Sequence, residues 1–447
     1  MPQPIVAEPP VITDSRRWQR ADLLALLVAV LGLALTAAVG RAAFLRGDDW
    51  ALLSIVSRPD FAPMDIFGPY GSHLMPFGLG AFWSIRGLFG PVPWWPLVAL
   101  GLAFVATALA CTWATIRLLV GPRVAAVVPF AVAAWGPAAM AAVMWPSPSV
   151  YMTPLWAATA GAVYVYVRGR LGGARHWQAG VLVIVGLGLF AIEIALLIVP
   201  LLFLIEMCWF TDARPLAAAR LAWRRYPFLW SGLLAMAGYY VVLYYLLLRQ
   251  AGTLPEDRAG IDLLIEGLVL VAWDMLPAMV VAGPWVWDAA VAPRVATGFV
   301  VTAVVALLAW FVIWRGRRAG RRAWMPLLGL LVMTVLMLSA ARIAVYGTAV
   351  LLNPYYYVEG LGILAVTLAV GYLPSRLPGE RGGRSPNPKL LGGALAFLAV
   401  SAMLSALGYA RMVPAIPERA YLAEAAASLA EPTLNTASPR EVFGVFL

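Results

Sequence analysis

Lysine is all but missing from this chain: Lys389 is the only one, and arginine carries the rest of the basic charge. Histidine and cysteine occur twice each, as His73, His176, Cys111 and Cys208. Charged residues of every kind make up 12 % of 447 residues. Each scarcity excludes something. A soluble globular protein carries about twice that charged fraction. Cys111 lies within an apolar run and Cys208 near the end of another, so no structural disulfide is expected, and no spacing offers a zinc site. The shortage of lysine reads as genomic base bias rather than chemistry. The net charge of +10 invites a nucleic-acid partner. The basic residues cluster between apolar runs, as orientation signals do, so nucleic acid is not an expected partner.

What is present is a series of apolar runs near the length that spans a bilayer, about 20 residues. The expected fold class is therefore an all-α polytopic membrane protein with about eleven transmembrane helices. Residues 1–20 read as a Pro-rich, disordered cytoplasmic tail ending in a basic anchor, and 21–410 as the transmembrane domain. The first span, 22–40, is too long for a signal peptide and lacks a small-residue cleavage site. A first external loop, 41–95, follows. Within it, residues 73–89 read as an interfacial or re-entrant helix, because a crossing there would put the later basic loops outside.

Further spans are expected at 96–119, 124–145, 150–167, 228–248, 295–314, 324–342, 358–373 and 390–409. Residues 179–210 are too long for one upright helix, and read as two short helices meeting at Glu193 near the outer face. A turn is expected at Pro146-Ser147-Pro148. The external loop 249–294 carries an amphipathic surface helix over 262–275. Residues 411–447 form an external tail with a helix at 417–429. Its apolar, strand-like end, 441–447, either packs on the external loops or begins a further extracytoplasmic domain. The N-terminus is then inside and the C-terminus outside. No internal repeat is evident.

Unusual groups gather on the outer side of this layout. Arg46-Gly47-Asp48-Asp49-Trp50 follows the first span directly. Two adjacent carboxylates at a membrane surface are costly to hold, which makes them functional candidates. One can serve as general base on an acceptor hydroxyl while its neighbour raises the base's affinity for a proton or orients the acceptor. His73 is a candidate for substrate binding or a structural turn residue. Glu193 is a second candidate or a structural group in the bundle. Arg342 is a phosphate-binding fork or a side chain reaching for the interface. Tyr355 and Tyr356 are a sugar platform or part of an aromatic belt. Such a convergent interfacial site suits a substrate with a lipid tail and a polar head.

An acidic pair just after the first span, in a long first external loop, resembles the GT-C superfamily of integral membrane glycosyltransferases. Gly47-Asp48-Asp49-Trp50, followed by Pro69-Tyr70-Gly71-Ser72-His73-Leu74-Met75-Pro76, looks most like a little-characterised bacterial branch of it. The short-helix pair around Glu193 is similar to a half-length hairpin of the same superfamily. The resemblance implies transfer of a sugar from a polyprenyl-phosphate donor to a glycan, lipid or protein hydroxyl, outside a bacterial cytoplasmic membrane. It implies a first-loop carboxylate as base; Asp48 and Asp49 both match, and Asp49 is the one preferred. One departure stands out. Where such proteins often carry an Asp-x-Arg-Tyr-like turn, this chain reads Asn353-Pro354-Tyr355-Tyr356-Tyr357, so Arg342 is the substitute for the donor phosphate.

No cofactor is required. A divalent ion stays open, since hard cations favour carboxylates, but Asp48, Asp49 and His73 are too few to claim a site and no metal ligand is assigned. Two other readings remain: a transporter or flippase of a lipid-linked glycan, which needs ionisable groups at the bilayer midplane, and a non-catalytic membrane assembly protein.

Overall fold

The computed structural model describes residues 18–41, 43–45, 47–90, 94–173, 175–211, 213–252, 259–288, 294–295, 318–377 and 388–413. These residues are mostly helical, and the strands among them form one short ribbon, Trp287–Asp288 paired antiparallel with Arg294–Val295. Among the described residues, six segments are long and apolar enough to cross a membrane: Arg20–Gly40, Trp94–Val120, Val124–Val143, Pro227–Ala251, Ile261–Val280 and Lys389–Met412. The chain is a multi-pass helical membrane protein. Several expected features lie outside the described residues: most of the span at 295–314, the tail helix at 417–429, the end at 441–447 and most of the N-terminal tail.

The first helices run as the apolar runs foretell: α1 Arg20–Gly40, α2 Asp48–Val56, α3 Pro76–Phe89 and α4 Trp94–Val120. At the start of α1, Asp22 accepts the Gln19 N–H at 2.9 Å and so caps the helix. The same buried carboxylate takes the Trp113 indole N–H at 3.0 Å and faces Arg117 at 3.4 Å, which ties α1 to α4. Helix α3 is 14 residues long, about 21 Å at 1.5 Å per residue, short of a hydrocarbon core of about 30 Å.

The expected span at 124–145 is broken. It forms α5 Val127–Ala134 and α6 Pro137–Val143, with the interruption at Trp135-Gly136. Proline at α6's first position explains the restart, since proline has no N–H to contribute and its φ is set for a helix. The same rule corrects the turn expected at Pro146-Ser147-Pro148. That segment is the first turn of α7, Pro146–Gly172, and Pro146 occupies the first helical position.

Helix α7 is the axis of the bundle. Nearly all of it is buried, and it packs along α4 and against α8, Trp177–Ala191. Its Thr153 and Thr159 hydroxyls bond back to carbonyls one turn earlier, at 2.5 and 2.9 Å, so they need no water. Close approach to α4 depends on Gly101: a Cβ there would stand 1.9 Å from the Ser149 hydroxyl oxygen. Small residues are what allow backbones to meet where lipid offers no hydrophobic drive.

After α8, Ile192 adopts an extended conformation, a 3-10 turn covers Glu193–Leu197, and α9 runs Ile198–Trp209. The break expected at Glu193 is therefore present. The chain continues through α10 Pro215–Arg225, α11 Pro227–Ala251, α12 Ile261–Leu270 and α13 Leu276–Val280, the last two joined by a π turn. The surface helix expected at 262–275 is thus part of a longer helical segment that reaches Val280. Then come α14 Arg318–Leu338, α15 Val358–Tyr372 and α16 Pro388–Met412. Helix α15 is buried almost end to end, whereas α11 buries only Leu229, Trp230, Leu233 and Leu248 and faces outward.

Candidate functional site

Gly47 opens the site with φ +45°, a backbone conformation that glycine adopts without strain, and α2 begins at once. Successive helical residues point about 100° apart, so the two aspartates part company. Asp49 turns inward and is fully buried (0 % exposed). Its Oδ1 accepts the backbone N–H of Ser147 at 2.6 Å, at the N-terminus of α7. A carboxylate there satisfies an orphan donor and faces the positive end of the helix dipole. Asp48 stays half-buried, and its Oδ1 accepts the Tyr70 hydroxyl at 3.3 Å. Burial first, and the Asp48 carboxylate second, push the Tyr70 phenol well above its usual range, so Tyr70 remains a donor.

Tyr70 is one end of a tight turn whose other end is His73. The two residues exchange backbone N–H···O bonds of 2.9 Å in both directions. Helix α11 grips this turn: the Tyr244 hydroxyl donates to the Ser72 carbonyl at 2.6 Å, and Tyr240 donates to the Leu74 carbonyl at 3.4 Å. The break after α8 supplies Glu193. Its Oε1 lies 2.5 Å from His73 Nδ1 and its Oε2 accepts the Leu74 N–H at 3.3 Å.

Arg342 arrives from the π turn Ser339–Ile343 that ends α14. Its NH2 group meets Nε2 of His73. Its Nε–H is buried and, among the described residues, has no hydrogen-bond partner and pairs with no carboxylate. The guanidinium lies 5.8 Å from the centre of the Tyr346 ring. Its charge and that of Asp48 both reach Tyr70, Tyr151 and Tyr356. Tyr355 and Tyr356 are largely buried with ring centres 4.3 Å apart, and Trp145 meets Tyr355 edge-on at 5.8 Å.

Residues 48, 49, 73, 193, 342, 355 and 356, all candidates from the sequence, thus converge on one end of the bundle. Sequence reasoning passed over Tyr151, Tyr240, Tyr244 and Ser147. A signal existed for two of them: Tyr240 and Tyr244 are four residues apart in the span 228–248, which aligns their hydroxyls on one face. Asp48, Asp49 and His73 do not gather as metal ligands, and no group of three or more His, Cys, Asp or Glu does so among the described residues.

The arrangement offers a half-buried carboxylate that can take a proton, a cation with unused donors, and aromatic walls between them. No family model matches the chain, and no curated protein matches it. Its structure is similar to that of the archaeal oligosaccharyltransferase AglB from Archaeoglobus fulgidus, solved in complex with an inhibitory peptide and a dolichol-phosphate. The TM-score is 0.45 at 14 % identity, over 87 % of this chain and 56 % of that one. The apo form of the Archaeoglobus fulgidus oligosaccharyltransferase gives a TM-score of 0.41 at 14 % identity, with the same coverage. The chain spans little more than half the length of these structures.

Proposed function

We propose that this chain is a GT-C-type glycosyltransferase that moves a sugar from a polyprenyl-phosphate donor to a hydroxyl of a glycan, lipid or protein on the outer face of a bacterial cytoplasmic membrane. The observation that carries the reading is Arg342, a mostly buried cation with a free N–H and, among the described residues, no carboxylate partner, within electrostatic reach of the same tyrosines as the half-buried Asp48. A phosphate leaving group gives the guanidinium the anion it lacks, in a planar two-pronged contact.

In this reading the acceptor hydroxyl attacks the sugar's anomeric carbon. Asp48 takes the hydroxyl proton, and the bond to the phosphate oxygen breaks with its electrons staying on that oxygen. Arg342 neutralises the charge that develops there. Burial favours Asp48 as the base over Asp49, whose carboxylate is fully enclosed and bonded at the start of α7. Tyr355, Tyr356 and Trp145 supply aromatic surface for the sugar. The Glu193–His73 pair holds the Arg342 side chain in place.

The test is sugar transfer in membranes supplied with radiolabelled polyprenyl-phosphate hexose or pentose. Asp48→Asn is expected to lower turnover by about 10²- to 10⁴-fold, the usual worth of a general base, with thermal unfolding unchanged. Full turnover in Asp48→Asn removes the proposed base.

A further inference from the structure

The second feature that stands out lies at the opposite end of the bundle. Helix α8 connects the two ends: Glu193 follows its last turn, while Trp177 at its first turn packs edge-on against Tyr166 and Tyr226, 5.4 and 5.0 Å away. Tyr226 is the single residue between α10 and α11. Helix α10 therefore sits at the far end, beside the outward-facing α11, and the Trp230 indole of α11 donates to the Ala222 carbonyl of α10 at 2.9 Å.

Helix α10 turns Ala218 and Ala222 inward and almost everything else outward. Arg214, Arg220, Arg224 and Arg225 are all exposed. No carboxylate pairs with any of the four among the described residues, and residues 214–226 contain no acid. This contrasts with Arg170 close by, which is neutralised by Glu206 at 2.7 Å. Leu216, Leu221 and Trp223 are exposed alongside the arginines, at 79 %, 53 % and 41 %. At 100° per residue, Arg220 and Arg224 occupy the middle of the outer face. Leu216 and Trp223 lie on one side of them and Leu221 on the other.

We infer that α10 is an in-plane docking surface for anionic lipid headgroups. Two features favour lipid over a soluble acidic partner. The helix is continuous with the most outward-facing span of the bundle, so its outer face lies where lipid begins. The arginines are also flanked on both sides by exposed apolar side chains, an arrangement that suits acyl chains below and phosphates above. Tryptophan beside them is typical of the headgroup level. Arginine forks bind phosphate in two-pronged fashion, and three unpaired cations on an eleven-residue helix, with a fourth at its N-cap, repel one another until anions intervene. This inference is independent of the proposed glycosyl transfer.

The test uses the full chain in nanodiscs of phosphatidylcholine, with or without phosphatidylglycerol. In a Cys111→Ser, Cys208→Ser background, Leu216→Cys carries a bimane label. The expected result is quenching by lipids brominated on the acyl chain and protection from aqueous iodide. Retention of phosphatidylglycerol over phosphatidylcholine is counted by mass spectrometry of the purified protein. Each Arg→Gln change at 214, 220, 224 or 225 is expected to reduce that preference about fivefold, the effect of one cation near an anionic surface. The matching Arg→Lys changes retain most of it. A label that iodide reaches freely overturns the inference and leaves a soluble acidic partner or nucleic acid as the occupant. An unchanged lipid preference in the glutamine variants overturns it as well. Should those variants fail to fold, the label in the otherwise arginine-intact chain decides alone.

Discussion

Asp48 and Asp49 are identical in chemistry and adjacent in sequence, and one peptide bond of helix separates a half-open carboxylate from a sealed one. Asp49→Ala leaves the buried Ser147 N–H without its acceptor, so a loss of about 1–3 kcal/mol in unfolding free energy is expected. Asp49→Asn keeps an acceptor oxygen and is expected to lose less, measured by thermal unfolding of the purified protein in detergent. His73 carries a second residue-scale prediction. A guanidinium only donates, so Nε2 accepts from Arg342, and Nδ1 carries the proton toward Glu193. With only two histidines in the chain, ¹⁵N-histidine labelling and a His176→Gln control isolate the signal. The empty protein is expected to show the Nδ1–H tautomer of His73 at pH 8, and a dominant Nε2–H tautomer contradicts the contact.

Among the elements, the helix pairs that hold the site depend on absent side chains as much as on present ones. Gly101→Val drives a Cβ into the Ser149 hydroxyl that bonds the Leu97 carbonyl at 3.2 Å, so it is expected to part α4 from α7 and lower the melting temperature. Much of this level was legible in the sequence, because apolar runs near span length are a strong signal and their ends fall close to the helix ends. The break at Glu193 was readable too, since a lone acid in a long apolar run has few tolerable places. Proline misled at Pro146, because the same residue marks turns and first helical positions, and only the tertiary contact to Asp49 decides between them. The split roles of the two aspartates were hidden for a related reason: which of them faces α7 depends on the rotation of α2, and no local pattern encodes that. Tyr151 was hidden because a phenol at the head of an apolar helix is commonplace.

For the molecule as a whole, the two ends carry opposite chemistry. One end gathers Asp48, His73, Glu193 and Arg342. The other gathers the buried Arg170–Glu206 pair, to which Tyr166 donates at 2.5 Å, and the exposed arginines of α10. Glu206→Gln leaves Arg170 without its counter-charge, and a loss of about 3–5 kcal/mol in unfolding free energy is expected. In cells, single cysteines replacing Asp65 and Arg175 are expected to react with an impermeant maleimide from opposite sides of the membrane, with Asp65→Cys the outer one. Reaction of both from one side overturns the layout. The four-residue turn from Tyr70 to His73 has a mechanical consequence. It is a stiff strut whose one foot stands on the Asp48 carboxylate and whose other foot stands against Arg342, cross-braced by two short backbone bonds. A ligand that pulls on the cation is therefore expected to tug the acid as well, through the turn that joins them.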